Sequence, residues 1–267
     1  MKEDIHIKKR DGSRVPLDIQ KIHKVVNFAC EGLAGVSSSL IQMNAGIQFA
    51  DGMTSREIQD LLIRSANDLI TLENPNYQYA AARLLLYGIY KDVFGGFEKI
   101  TLHEMVKRNI ERKVYDSAIL DMYTEEEFDK MEKYIHHNRD ENFTYAGLRQ
   151  IVDKYLCQDR SSSEIYESPQ HMYMMIAATL FARYPKEDRL HYVRRYYDAT
   201  SLFKINIPTQ SWPVSERLLD SLLRVSLLTV TIPLIVSSQV ICRLVDTRHK
   251  EQALVSTQDE SEESIQR

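Results

Sequence analysis

The chain has 267 residues, enough for one large domain or two smaller ones with a buried core. Hydrophobic residues make up 43% and charged residues 27%, ordinary for a globular protein, and the net charge of -4 does not suggest a nucleic-acid or acidic-membrane partner. Three cysteines, Cys30, Cys157 and Cys242, form no CxxC pair and no metal-ligand spacing, which fits a reducing, cytoplasmic setting.

Ile5 and Ile7, then Val15 and Leu17, alternate around a turn containing Asp11-Gly12, and this predicts a β-hairpin. Pro16 lacks an amide hydrogen, so the second strand should be short or lie at an edge. Asp18 is a cap for a helix carrying Ile19, Ile22, Val25, Val26, Ala29 and Leu33, with Gly32 and Gly35 at its end. A second helix is expected over about 39–49. Thr54 and Glu57 form a capping box ahead of Ile58, Leu61, Leu62, Ala66 and Leu69. Asn74-Pro75 breaks the chain, a fourth helix runs from Tyr77 to about Val93, and Gly95-Gly96 closes a first unit over residues 1–96.

The second unit, residues 97–209, reads as all-helical. Thr101 with Glu104 and Thr124 with Glu127 are two more capping boxes. Helices are expected over 143–156, from Ser168-Pro169 to Tyr184-Pro185, and over 186–199, with Ser161 to Ser163 as a loop. Phe203 to Ile207 alternates and reads as a strand. The fold class is therefore mainly α with one small β-hairpin. The start, MKEDIHIKKRDGS, has no apolar signal-peptide core. Val225 to Cys242 carries no charge and sits at the lower edge of a membrane span, but Pro233 and its β-branched residues favour an accidental apolar run, so no membrane partner is expected.

Lys8, Lys9 and Arg10 lie at the hairpin turn, Lys21 on the first turn of the first helix and Lys91 on the fourth. Lysine pairs with phosphate as a point charge and arginine bidentately, and free amides at a helix N-terminus add positive potential. Together they point to a triphosphate; a solvated basic turn is the competing reading. No P-loop and no GxGxxG is present. His136 and His137 are adjacent and cannot share a helix face, so they are poor joint metal ligands. Cys30 reads as core, and Cys157 as core with a weaker case for a reactive thiol.

The segments IHIKKRDGSRVPLDIQKIHKVV, IQFADGMTSREIQ, NPNYQYAAARLLLYGIYK, YTEEEFDKM, ENFTYAGLRQIVDKYL, EIYESPQHMYMMIAATLF and FKINIPT resemble the large subunit of class I ribonucleoside-diphosphate reductase over residues 1–209. The resemblance implies an ATP-cone over 1–96 and the helical N-terminal domain over 97–209. It implies ATP or dATP as allosteric effector, with Mg accompanying the nucleotide and no metal bound by the subunit. Effector contacts would fall on Lys9, Arg10, Val15, Pro16, Leu17, Asp18, Ile19, Gln20, Lys21, Ser55 and Lys91. Thr209 would touch substrate. Family members often carry Glu at Val15, Asn at Asp18, Thr at Ser55 and His at Gln59, so dATP inhibition is expected to be altered while nucleotide binding survives. The implied partner is the radical-generating small subunit; DNA is not one. A nucleotide-sensing repressor would also carry an ATP-cone, but the CxxC zinc ribbon is lacking.

The family's chemistry needs a thiyl-radical cysteine and a redox cysteine pair, and no catalytic residue is assigned in this chain. Residues 210–267 read as out of frame. Taking the third base of each codon with the first two of the next, QSWPVSE is compatible with Ile-Met-Ala-Gly-Val-Arg. KEQALVSTQDESEE is likewise compatible with Arg-Ala-Gly-Ile-Gly-Ile-Asn-Ala-Gly-Arg-Ile-Arg-Gly. Both strings resemble the same family, in order. The expectation is a truncated, thioredoxin-dependent reductase subunit, inactive alone, with a second polypeptide supplying the barrel if the gene is split. A stand-alone regulatory module and a gene remnant are the alternatives.

Overall fold

The computed structural model describes residues 5–9, 12–95, 100–159 and 161–205. Strands β1 (His6–Lys8) and β2 (Arg14–Pro16) pair antiparallel with Ile7 opposite Val15. β2 ends at Pro16, as the missing amide requires. Four helices follow: α1 (Ile19–Cys30), α2 (Ser38–Gly46), α3 (Ser55–Asp68) and α4 (Tyr77–Phe94). Their starts are local chemistry. The Asp18 carboxylate accepts from Gln20 N and Lys21 N, and Ser37 Oγ accepts from Leu40 N. Glu57 accepts from Thr54 N at 2.7 Å while Thr54 Oγ1 accepts from Glu57 N at 3.1 Å, completing the box. Gly95, at φ +68°, supplies the left-handed residue that ends α4.

The second unit contains α5 (Leu102–Glu111), α6 (Ala118–Met122), α7 (Glu125–Glu132), a 3-10 helix (His137–Asn142), α8 (Tyr145–Lys154), α9 (Pro169–Phe181) and α10 (Lys186–Ser201). The capping boxes at Thr101 and Thr124 both form. A short hairpin, β3 (Gln158–Asp159) with β4 (Glu164–Ile165), brackets the Ser161 to Ser163 turn and was not evident from the sequence. Residues 203–205 are not the start of a strand. Phe203 takes φ 56° and its ring packs edge-on against Phe143 at 4.9 Å, so the chain turns there. Ile207, Thr209 and the Val225 to Cys242 run lie outside the described residues. Among the described residues no helix is long and apolar enough to cross a membrane.

One hydrophobic cluster runs through both units. Helix α9 is buried at every residue except Leu180, so it serves as the central post of the second unit. Helix α4 belongs to both. It packs on α1 and α3 on one side and on α8 and the 3-10 helix on the other. Ala80, Ala81 and Ala82 bring its backbone close to its neighbours.

The second unit buries one complete ion pair. Arg189 Nε donates to Glu127 Oε1 at 2.7 Å, Nη2 donates to Oε2, and the guanidinium lies 4.2 Å from the Tyr123 ring. Glu127 also closes the α7 capping box, so one carboxylate joins α7 to α10. Burial pushes the Glu127 carboxyl up, but the Arg189 guanidinium and the Thr124 groups outweigh it and hold it below the ordinary 4.5. Replacing Arg189 with Ala leaves that charge buried and unpaired, and should cost about 3–5 kcal/mol of unfolding free energy by urea titration near neutral pH. A carboxyl held low in the fold stabilises it above its ordinary value and loses that contribution as pH falls through the folded value. The wild-type and Arg189→Ala midpoints should therefore draw together as pH falls below the ordinary 4.5.

Candidate functional site

The hairpin is fastened to the start of α3 by backbone and one carboxylate. Lys8 N donates to Met53 O at 2.9 Å, Gly52 N donates to His6 O at 2.8 Å, and Lys8 pairs with Thr54 in parallel register. That register carries Lys9 alongside Ser55, the first residue of α3. Asp51 holds the hairpin from below, accepting from His6 N at 2.8 Å and pairing with Arg14. The His6 amide holds the Asp51 carboxyl below its usual range; burial opposes it, and Arg14 adds to the lowering.

Helix α4 runs antiparallel to α3 and brings its last turn to the same end. Arg56, in the first turn of α3, pairs with Asp92 at 3.3 Å. Gln59 Nε2 donates to Leu84 O at 2.6 Å, and its side chain lies over Gly88. Of the α4 residues only Lys91 is exposed. Lys91 directly precedes Asp92, the partner of Arg56, at this end of the helix pair. Lys9, by the register of Lys8 with Thr54, and Lys91, beside Asp92, thus belong to the same end of the α3–α4 pair, where Gln59 packs on Gly88. Gly88 had no evident role in the sequence; a glycine inside a helical run facing a polar residue was the available signal.

The 15–21 segment is split. Val15 and Leu17 are partly buried, whereas Pro16, Asp18, Ile19, Gln20 and Lys21 are exposed. The expectation of free amides at the start of α1 is corrected: the amides of Gln20 and Lys21 both donate to Asp18 Oδ1, and Lys21 Nζ lies 3.4 Å from Asp18 Oδ2. Burial pushes the Asp18 carboxyl up, but Lys21 and the two amides together outweigh it and hold it low. This helix end is already neutralised by its own carboxylate, so its dipole has less to offer an incoming anion. Arg10 and Thr209 lie outside the described residues.

His136 and His137 do diverge. His136 is exposed, and the His137 ring sits edge-on to His171 with centroids 5.1 Å apart. No group of three or more His, Cys, Asp or Glu able to hold a metal occurs among the described residues. Burial pushes the Cys30 thiol up to about 11. Burial and then the Glu167 carboxylate push Cys157 well above its ordinary value. A reactive thiolate needs the opposite shift, which overturns that reading of Cys157.

Comparison with known proteins places these features. Residues 5–92 match the ATP cone domain family, and residues 141–212 match the all-alpha domain family of ribonucleotide reductase. The chain is similar to the ribonucleoside-diphosphate reductase subunit alpha of Haemophilus influenzae, with 44% identity over 209 residues, 78% of this chain and 28% of the relative. It is 45% identical over the same span to the ribonucleoside-diphosphate reductase 1 subunit alpha of Escherichia coli K12, again 28% of that protein. A subunit alpha from Enterobacteria phage T4 is 37% identical over 205 residues. The chain thus spans a little over a quarter of the length of the curated relatives it matches.

A methyl group added at Gly88 would meet Gln59 Cγ at 3.8 Å, an ordinary contact. Gly88→Ala should therefore gain the helix preference of alanine without a clash, and raise stability by about 0.5–1 kcal/mol in urea titration.

Proposed function

We propose, on the premise that this chain carries the ATP-cone and the all-alpha domain of a ribonucleoside-diphosphate reductase alpha subunit, that it binds ATP or dATP through the end of the α3–α4 pair. What supports this reading is that the Lys8–Thr54 register sets Lys9 beside the start of α3, while Lys91 adjoins the Asp92 that pairs with Arg56 at the same end of the α3–α4 pair. Two ammonium groups offset part of a triphosphate's charge, and Ser55 lies in the first turn of a helix whose remaining amides favour an anion. Val15 to Leu17 would border the base and sugar, and Asp18 to Lys21 the outer edge. Mg would accompany the nucleotide; no residue here is assigned to hold it. Gln59, committed to the Leu84 carbonyl, offers its amide oxygen rather than an imidazole, which supports altered discrimination between ATP and dATP.

The relatives' reaction, reduction of ribonucleoside diphosphates, is proposed for the whole assembly. No residue of this chain is assigned a catalytic role. The chemistry would belong to regions matching the remaining length of the relatives, on this or a second polypeptide, working with the radical-generating small subunit. Residues 210–267 are proposed to be out of frame. The span of similarity, 209 residues, supports this. Sequencing the gene across codon 209 should find one added or missing base relative to the reading frame of the relatives; an intact frame confirmed in the transcript sinks the idea.

Isothermal calorimetry on the full chain should register heat with ATP or dATP. Lys91→Ala and Lys9→Ala should each weaken binding roughly 10- to 100-fold, the scale of one lost charge-assisted hydrogen bond. Lys130→Ala, an exposed residue of α7 in the second unit, should leave it unchanged. No heat with either nucleotide would overturn the reading.

A further inference from the structure

The last turn of α4 presents Lys91 to the candidate nucleotide edge and, one residue earlier, inserts Tyr90 into a buried polar chain in the second unit. Tyr90 Oη donates to Asp140 Oδ2 at 2.7 Å. Asp140 Oδ1 accepts from Gln170 Nε2 at 2.8 Å, and Gln170 Oε1 accepts from Tyr197 Oη at 2.6 Å. Tyr197 Oη in turn accepts from His136 N at 2.8 Å, which closes the chain back on the start of the 3-10 helix. Every member has a fixed donor or acceptor role. Asp140 and Gln170 are essentially solvent-free, at 1% and 0% exposed. The path extends one step further, because Arg139 pairs with Asp198 at 2.8 Å, donates to Ser201 Oγ at 2.6 Å and lies over the Tyr197 ring at 5.2 Å. The same 3-10 helix therefore grips the end of α10.

A second tie joins the units at this end. Arg56, beside Ser55, donates to Ser162 O in the β3–β4 turn at 3.1 Å while it pairs with Asp92. The first turn of α3 and the last turn of α4 are thus held from both sides by the second unit.

We propose that the 3-10 helix His137–Asn142, read through the Tyr90–Asp140 hydrogen bond, is the element that couples nucleotide occupancy of the first unit to the end of α10. The proposal rests on the nucleotide reading given above. A ligand that draws Lys91 toward its phosphates loads the turn that also bears Tyr90. Asp140 cannot lose that donor cheaply in a water-free setting, so the 3-10 helix must follow or resist. Coupling of this kind is reciprocal: whatever the hydrogen bond transmits outward must return as a change in nucleotide affinity.

The experiment is hydrogen–deuterium exchange on the full chain with and without saturating ATP, run beside calorimetry. In the wild type, ATP should change amide protection over 136–142 and the last turn of α10 as well as at α3 and α4. Tyr90→Phe removes one hydroxyl and keeps the ring. It should retain ATP heat, shift the Kd several-fold, and lose the distant protection change. Full ATP binding with unchanged protection over 136–142 in the wild type overturns the coupling and leaves the nucleotide reading intact. So does a Tyr90→Phe chain that keeps the whole response. Absence of heat in the wild type overturns both. If circular dichroism shows Tyr90→Phe to be unfolded, the wild-type exchange alone decides.

Discussion

Helix α4 has to satisfy two cores at once, and the rest of the structure follows from that demand. Tyr77, Ala80 to Ala82, Leu84 to Leu86, Ile89 and Val93 are all buried, and they face different neighbours around the helix. A helix apolar on several faces is stable only when other elements surround it. α1 and α3 cover one side, and α8 and the 3-10 helix cover the other. The two regions that match different families therefore share a helix rather than a linker. Substitution on α4 cannot be confined to one of them.

The polar groups near α4 show how this sharing is kept in register. Arg83 reaches back to the end of α1, donating to Glu31 O at 2.6 Å, and so neutralises carbonyls that the helix leaves open. Arg108 donates to Val93 O at 2.6 Å and to Tyr166 O at 2.9 Å, tying the end of α4 to the segment entering α9. Glu167 accepts from Cys157 N at 2.9 Å and from the Tyr115 hydroxyl in a fully buried pocket. Burial raises that carboxyl despite both donors. Apolar contact alone tolerates sliding; these directional bonds do not, because a shifted partner leaves a buried group unmatched.

What could be read from the sequence was governed by distance along the chain. Capping boxes need two residues three apart, and those at Thr54, Thr101 and Thr124 all form. The first hairpin and the proline start of α9 were legible for the same reason. The β3–β4 hairpin escaped because its strands are two residues long and carry Gln158, Asp159 and Glu164, which show no apolar alternation. Phe203 read as strand because alternation cannot register that its ring is claimed by Phe143. The site residues were legible as types but not as a set. Lys91 gains its place only from the antiparallel packing of α3 on α4, and the amides at the start of α1 lost theirs to Asp18. Gln170 and His171 lay hidden in what read as an apolar helix, and the 3-10 helix that carries Asp140 had no signal in the sequence.

The departures from the family pattern share one physical direction. Against the pattern that the resemblance implies, Val15 puts no carboxylate on the hairpin and Asp18 puts one at the start of α1, where it binds the local amides and Lys21. Negative charge has moved from the hairpin to the helix end. On the proposed reading, a nucleotide at this end of the α3–α4 pair would meet an apolar wall at Val15 and a self-paired rim at Asp18. Discrimination between two sugars differing by one hydroxyl depends on a paired polar group at the ribose, because an unmatched buried hydroxyl is what penalises the wrong ligand. With one Gln59 amide hydrogen already given to Leu84 O, this edge would have one donor fewer for the sugar. On the proposed reading, affinity for a triphosphate and selectivity for its sugar would be separable, the first resting on lysines and the second on the residues around Val15, Asp18 and Gln59.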